Sequence, residues 1–168
     1  MHFINHTLEW YKGEAFESLV SSVFGVLLII VALYSWRMGT TQGAHALVIP
    51  LLLIGLLLVG FGSYGYFKNQ NAIKHFEQVQ PKEMASFIQS EKERVEGFQS
   101  LYTFTKYLAL SLFALAMIIF FFIENKNWQA IAIAFIIIGI SGLIIDYFSE
   151  ERANNYYSII LEYVKQSD

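Results

Sequence analysis

Residues 46–67 read ALVIPLLLIGLLLVGFGSYGYF. These twenty-two positions hold no Asp, Glu, Lys or Arg and lie within a charge-free run from 38 to 67. A helix in water keeps a wetted face, so a soluble domain spreads charge through every helix. A stretch of about 20 apolar residues is instead what crosses roughly 30 Å of hydrocarbon.

Working outward, three more runs lack charge: 18–36, 107–123 and 127–145. Together the four occupy half of the 168 residues. They predict membrane helices over about 19–36, 46–67, 107–123 and 128–148. Between the first two spans lie Gly39, Thr40, Thr41, Gln42 and Gly43, a turn composition. Between the last two lies the tight connection Glu124-Asn125-Lys126-Asn127. Pro50 is expected near the start of the second span, where a missing N–H costs a helix least. The first apolar run begins after three glutamates and no A-x-A pattern follows before the second span, so no cleaved signal peptide is expected.

This distribution excludes a soluble enzyme, a disordered chain and a nucleic-acid binder. With no cysteine there is neither disulfide chemistry nor thiolate-held metal. The histidines are His2, His6, His45 and His75. Only His2 and His6 have an i, i+4 ligand spacing, at a chain terminus where a metal site is not expected. No H-E-x-x-H, phosphate-binding loop or G-x-S-x-G occurs. The chain is therefore read as a non-enzyme with no catalytic residues, cofactor or metal.

Orientation follows from the basic residues. Four spans put both termini and the segment 68–106 on one side, with nine of the eleven Lys and Arg; Arg37 and Lys126 lie on the other. The expectation is a multi-pass protein of the inner (plasma) membrane with both termini cytoplasmic. Thirteen of the fourteen acids share that side, which weighs against a polybasic lipid-binding surface. Trp10 is expected in the inner aromatic belt with Tyr64, Tyr66, Phe67, Tyr102, Tyr107, Tyr147 and Phe148, and Trp36 and Trp128 in the outer one.

The chain also resembles itself. Residues 14–19 (EAFESL) align with 96–101 (EGFQSL), Glu9 with Glu91, and Lys12 with Arg94, at an offset of 82. Tyr66-Phe67 aligns with Tyr147-Phe148 at an offset of 81. These matches lie in polar flanks, where apolar bias produces few coincidences. The expected fold is an all-α membrane protein of four transmembrane helices, built as two tandem hairpin repeats in parallel orientation with helical cytoplasmic extensions. Residues 1–80 form the first repeat. Residues 81–168 form the second, with a cytoplasmic helix over 82–102 and another after the last span.

Within the repeated flank, Glu9–Lys12 and Glu91–Arg94 have the i, i+3 spacing of a helical ion pair. Glu14 and Glu96 fall near the expected starts of spans one and three, where the helix dipole favours a carboxylate. The motif reads as a repeated helix start and interface anchor, with a shared acidic site for a cation or basic partner as the alternative. Residues 68–80 continue span two with Ile73, Phe76 and Val79 on one side, and Pro81 suits the first turn of the next helix. Met84, Phe87, Ile88, Val95, Phe98 and Tyr102, and then Tyr156, Ile159, Ile160 and Tyr163, keep helical spacing. These helices are expected to pack on one another beyond the membrane. Lys106 and Asp146 reach furthest into the spans. At about 1.5 Å per residue they fall at equal depth on adjacent helices, which predicts a structural ion pair. Glycines 55, 60, 62, 65, 139 and 142 mark expected close-contact faces.

The functional expectation is a small membrane protein acting by protein–protein contacts, in the bilayer or through its acidic cytoplasmic helices, in an accessory or immunity-type role. Its partners would be the lipid bilayer and a protein partner or further copies of itself. The alternative is an oligomeric ion channel or small transporter, including a defence-associated one.

Overall fold

The computed structural model describes residues 2–78 and 84–167. Pro81, Lys82 and Val79, which the sequence places in the central linker and its flanking helices, lie outside them. Four long helices account for nearly all the rest: α1 (His2–Met38), α2 (Gln42–Gln78), α3 (Met84–Phe122) and α4 (Lys126–Ser167). All four are long and apolar enough to cross a membrane. Each continues past its apolar run without a break, so one end of the bundle is apolar and the other polar.

Short connections close the apolar end, and their residues explain the helix starts. Thr41 Oγ1 accepts from the amide of Ala44 at 3.2 Å, capping α2. Asn125 Oδ1 accepts from the amide of Asn127 at 2.9 Å and does the same for α4. Because Thr41 starts α2 at Gln42, Pro50 lies in the third turn and not near the start, and Gln42 and Gly43 are helical. Likewise Glu14 and Glu96 are not at helix N-termini. Each sits about a dozen residues inside a continuous helix, beyond the reach of the terminal dipole.

Helices α1 and α2 approach closely enough to exclude side chains. A Cβ on Gly25 would lie 2.6 Å from the Gly55 carbonyl oxygen, and one on Gly62 would lie 2.6 Å from the Ser18 carbonyl oxygen. Ser22 Oγ lies 3.3 Å from Ser63 Oγ across the same seam. Lipid tails give helices no hydrophobic reason to associate, so this small-residue contact supplies dispersion and hydrogen bonding instead. Gly60, expected on this face, has open space around it. Between α3 and α4 the close contacts come from Ala109, Ala116 and Ala132, all buried, and from Gly139 against the Phe113 ring.

At mid-depth, Leu28 and Ala32 of α1, Leu51 and Ile54 of α2 and Ala134 of α4 form one apolar cluster. Ala116, Ile119 and Ala132 form another between α3 and α4. At the polar end, Phe3, Trp10, Ile88, Val95, Tyr156 and Ile160 form a third core, flanked by Met84, Phe87, Phe98, Ile159 and Tyr163. The apolar stripes of the helical extensions therefore pack on one another. Phe76 joins through Tyr11 and Phe87, at ring separations of 5.6 and 5.3 Å.

The arrangement of the helices is lopsided. Helix α4 packs along α1, α2 and α3, whereas α2 and α3 make no close backbone approach among the described residues. At the polar end side chains of α3 reach α1, through Phe87 against Phe3 and Phe98 against Trp10.

Candidate functional site

The gap between α2 and α3 leads into a cavity of about 590 Å3. Ser18, Gly65, Thr105 and Asp146 line it, one from each helix. Each lies within two residues of the end of a charge-free run. The cavity therefore sits at the level where apolar surface gives way to polar surface. Its aromatic walls include Trp10, Tyr64 and Tyr102, and its charged lining comprises Glu14, Asp146, Lys68 and Arg94.

Two polar networks flank this space. In the first, Arg152 Nη2 lies 2.9 Å from Glu14 Oε1 and 2.7 Å from Glu17 Oε2. Ser149 Oγ donates to Glu14 Oε1 at 3.0 Å and lies 3.0 Å from the Tyr102 hydroxyl. Helices α1, α3 and α4 are thereby joined at one level. Gly13 makes room for the arginine, since a Cβ there would lie 2.6 Å from Arg152 Nε.

The second network lies further along the polar end and centres on Glu91, which is 5% exposed. Arg94 Nε donates to Glu91 Oε1 at 3.0 Å, and the Tyr156 hydroxyl donates to Oε2 at 2.9 Å. Thr7 Oγ1 lies 2.7 Å from that hydroxyl. Burial, and then the negative charge of Glu91, push the Tyr156 hydroxyl well above the usual tyrosine range, so it remains a donor at any physiological pH. The Arg94 guanidinium covers the Trp10 ring at 4.3 Å from its centroid.

The expected site residues thus have unequal fates. Glu91 and Arg94 form their ion pair. Glu9 does not pair with Lys12. It lies 3.7 Å from His6 Nδ1, and Lys12 is exposed with no salt bridge among the described residues. Glu14 bonds Arg152, while Glu96 accepts from Tyr157 and lies 3.9 Å from Lys92. The Lys106–Asp146 pair is replaced by Lys106–Glu150, at 2.7 Å. Glu150 lies one helical turn beyond Asp146, and a lysine near an apolar boundary extends its stem toward the polar side. Asp146 forms no salt bridge among the described residues, and its Oδ2 is buried without a hydrogen-bond partner. Trp10 is not a belt residue. It is 8% exposed and stacks on Phe98 and Tyr156. Tyr102 is likewise buried, while Tyr64, Phe67, Tyr107, Tyr147 and Phe148 are exposed.

Sequence reasoning missed Arg152 and Glu17. Their signal was faint, because Arg152 belongs to a charged tail segment and meets its partners only through the α1–α4 contact. No group of three or more potential metal ligands exists among the described residues. Comparison with family models, curated proteins and solved structures finds no match for the chain.

Proposed function

We propose that this chain is a small polytopic inner-membrane protein with both termini in the cytoplasm. It acts through protein contacts, in the bilayer or at its polar end, in an accessory or immunity-type role. The observation that carries this reading is the closed middle of the bundle. Leu28, Ala32, Leu51, Ile54 and Ala134 fill it at mid-depth, and the hydrogen-bonded networks are confined to one end. Four helices packed in this way leave a single copy no polar route across the apolar half. What it offers instead are surfaces. One is an apolar groove between α2 and α4 lined by Ile49, Pro50, Leu53 and Phe135; the other is the acid-rich polar end.

The competing reading is an oligomeric channel or small transporter, with the path between copies. The two separate in reconstituted vesicles. Purified protein in liposomes carrying a potassium gradient and a pH gradient read by a pH-sensitive dye should leave both gradients decaying as they do in empty vesicles. Accelerated decay of either would overturn the contact reading in favour of transport. The repeat is likewise part of this proposal: two copies of a flank-plus-hairpin unit, whose equivalent residues have since taken different environments.

A further inference from the structure

The cavity between α2 and α3 has four charged lining residues, two of which are already neutralised. Glu14 is held by Arg152, and Arg94 by Glu91. The remaining two are Lys68, exposed and in no salt bridge among the described residues, and Asp146, whose Oδ2 has no hydrogen-bond partner. One cation in no salt bridge and one carboxylate, bonded by Thr105 and near Lys106 but with one oxygen unpartnered, thus share a cavity at the apolar–polar boundary. Its side is open between two helices that make no close backbone approach among the described residues.

We propose that this cavity binds a membrane phospholipid with a zwitterionic primary-amine headgroup, phosphate toward Lys68 and ammonium toward Asp146, entering between α2 and α3. The volume of about 590 Å3 falls within the roughly 300–1,000 Å3 typical of small-molecule sites. A lateral opening at this depth suits a ligand whose tails remain in the apolar layer. A primary ammonium carries three hydrogen-bond donors, one of which would serve the unpartnered oxygen of Asp146, and a quaternary one carries none. The Trp10 face, which would otherwise form part of an aromatic cage for a quaternary ammonium, is covered by Arg94. An anionic headgroup without an amine would leave Asp146 Oδ2 without a donor and add negative charge beside Glu14. This inference does not depend on whether the protein works by contacts or by transport.

The test is native mass spectrometry of the delipidated full-length protein in detergent, given an equimolar mixture of phosphatidylethanolamine, phosphatidylcholine and phosphatidylglycerol. Phosphatidylethanolamine adducts should exceed the other two by about ten-fold, the worth of a hydrogen bond to a charged group. Asp146→Asn should erase the preference over phosphatidylcholine. Lys68→Gln, at an exposed position with no salt bridge to lose, should reduce all three adducts while leaving the fold intact by circular dichroism. Lys165→Gln, far along the polar end, should change nothing. Equal retention of the three lipids overturns the proposal, as do adduct levels that Lys68→Gln leaves unchanged. A preference that shifts to phosphatidylglycerol overturns the role of Asp146. Displacement of the lipid by an equal concentration of glycerophosphoethanolamine overturns the membrane source in favour of a soluble ligand.

Discussion

A carboxylate removed from water costs several kcal/mol unless charge and hydrogen bonds replace its hydration. Glu91 receives both, from Arg94 and Tyr156, and Arg152 holds two acids at once in the neighbouring network. Glu91→Ala should therefore lower stability by about 3 kcal/mol, since it strands Arg94 and the Tyr156 hydroxyl. Tyr156→Phe should cost about 1 kcal/mol. Glu9→Ala, at the aligned but exposed position, should stay within about 0.5 kcal/mol. Denaturation midpoints in one detergent would check all three, and equal losses at Glu9 and Glu91 would contradict the asymmetry. Gly13→Ala should displace the Arg152 side chain and cost about 1 kcal/mol in the same assay. The burial of Glu91 is not among the sequence expectations, which assign it an ion pair with Arg94, although Met84, Ile88, Glu91, Val95, Phe98 and Tyr102 run in alternating steps of four and three, the spacing of a core seam. That of Trp10 was not legible, because its neighbours come from α3 and α4, far along the chain.

Helix existence, order and pairing could be read from the charge-free runs, because hydrocarbon length and hydropathy are local properties. Helix contacts were read less well. Gly60 and Gly62 lie two positions apart and so on different faces, and the glycines alone do not say which face meets α1. The answer lies in the partner row Ser18, Ser22 and Gly25, whose steps of four and three match Gly55, Val59 and Gly62. Gly25→Leu should accordingly separate the first hairpin, seen as a large fall in thermal midpoint. Gly60→Ala, facing open space, should be neutral or stabilising by up to about 1 kcal/mol. The Lys106 partner shows the same limit. Counting residues located the right face of α4, but the choice between Asp146 and Glu150 is a single turn and depends on where the lysine head finds water.

For the molecule as a whole, the absence of cysteine gives a clean background for testing orientation. With both termini inside, a cysteine in place of Lys126 should react with a membrane-impermeant maleimide in intact cells. One in place of Lys165 should react only after permeabilisation, and the reverse pattern would invert the proposed topology. Two identical hairpins related by a two-fold axis would make the α1–α4 and α2–α3 interfaces equivalent. The packing of α1 on α4 without its counterpart is therefore what opens the cavity, and no alignment of residues 1–80 with 81–168 shows it. The length of the helices carries a last consequence. From Asp146 to Lys165 α4 rises about 28 Å, more than three screening lengths of roughly 8 Å at physiological salt. With the lipid surface at the level of Asp146, Lys68 and Arg152 would stand within its electrostatic field, and Glu162 and Lys165 outside it. A change in the leaflet's anionic lipid content would retune the charges around the cavity while leaving the tip of α4 as it was.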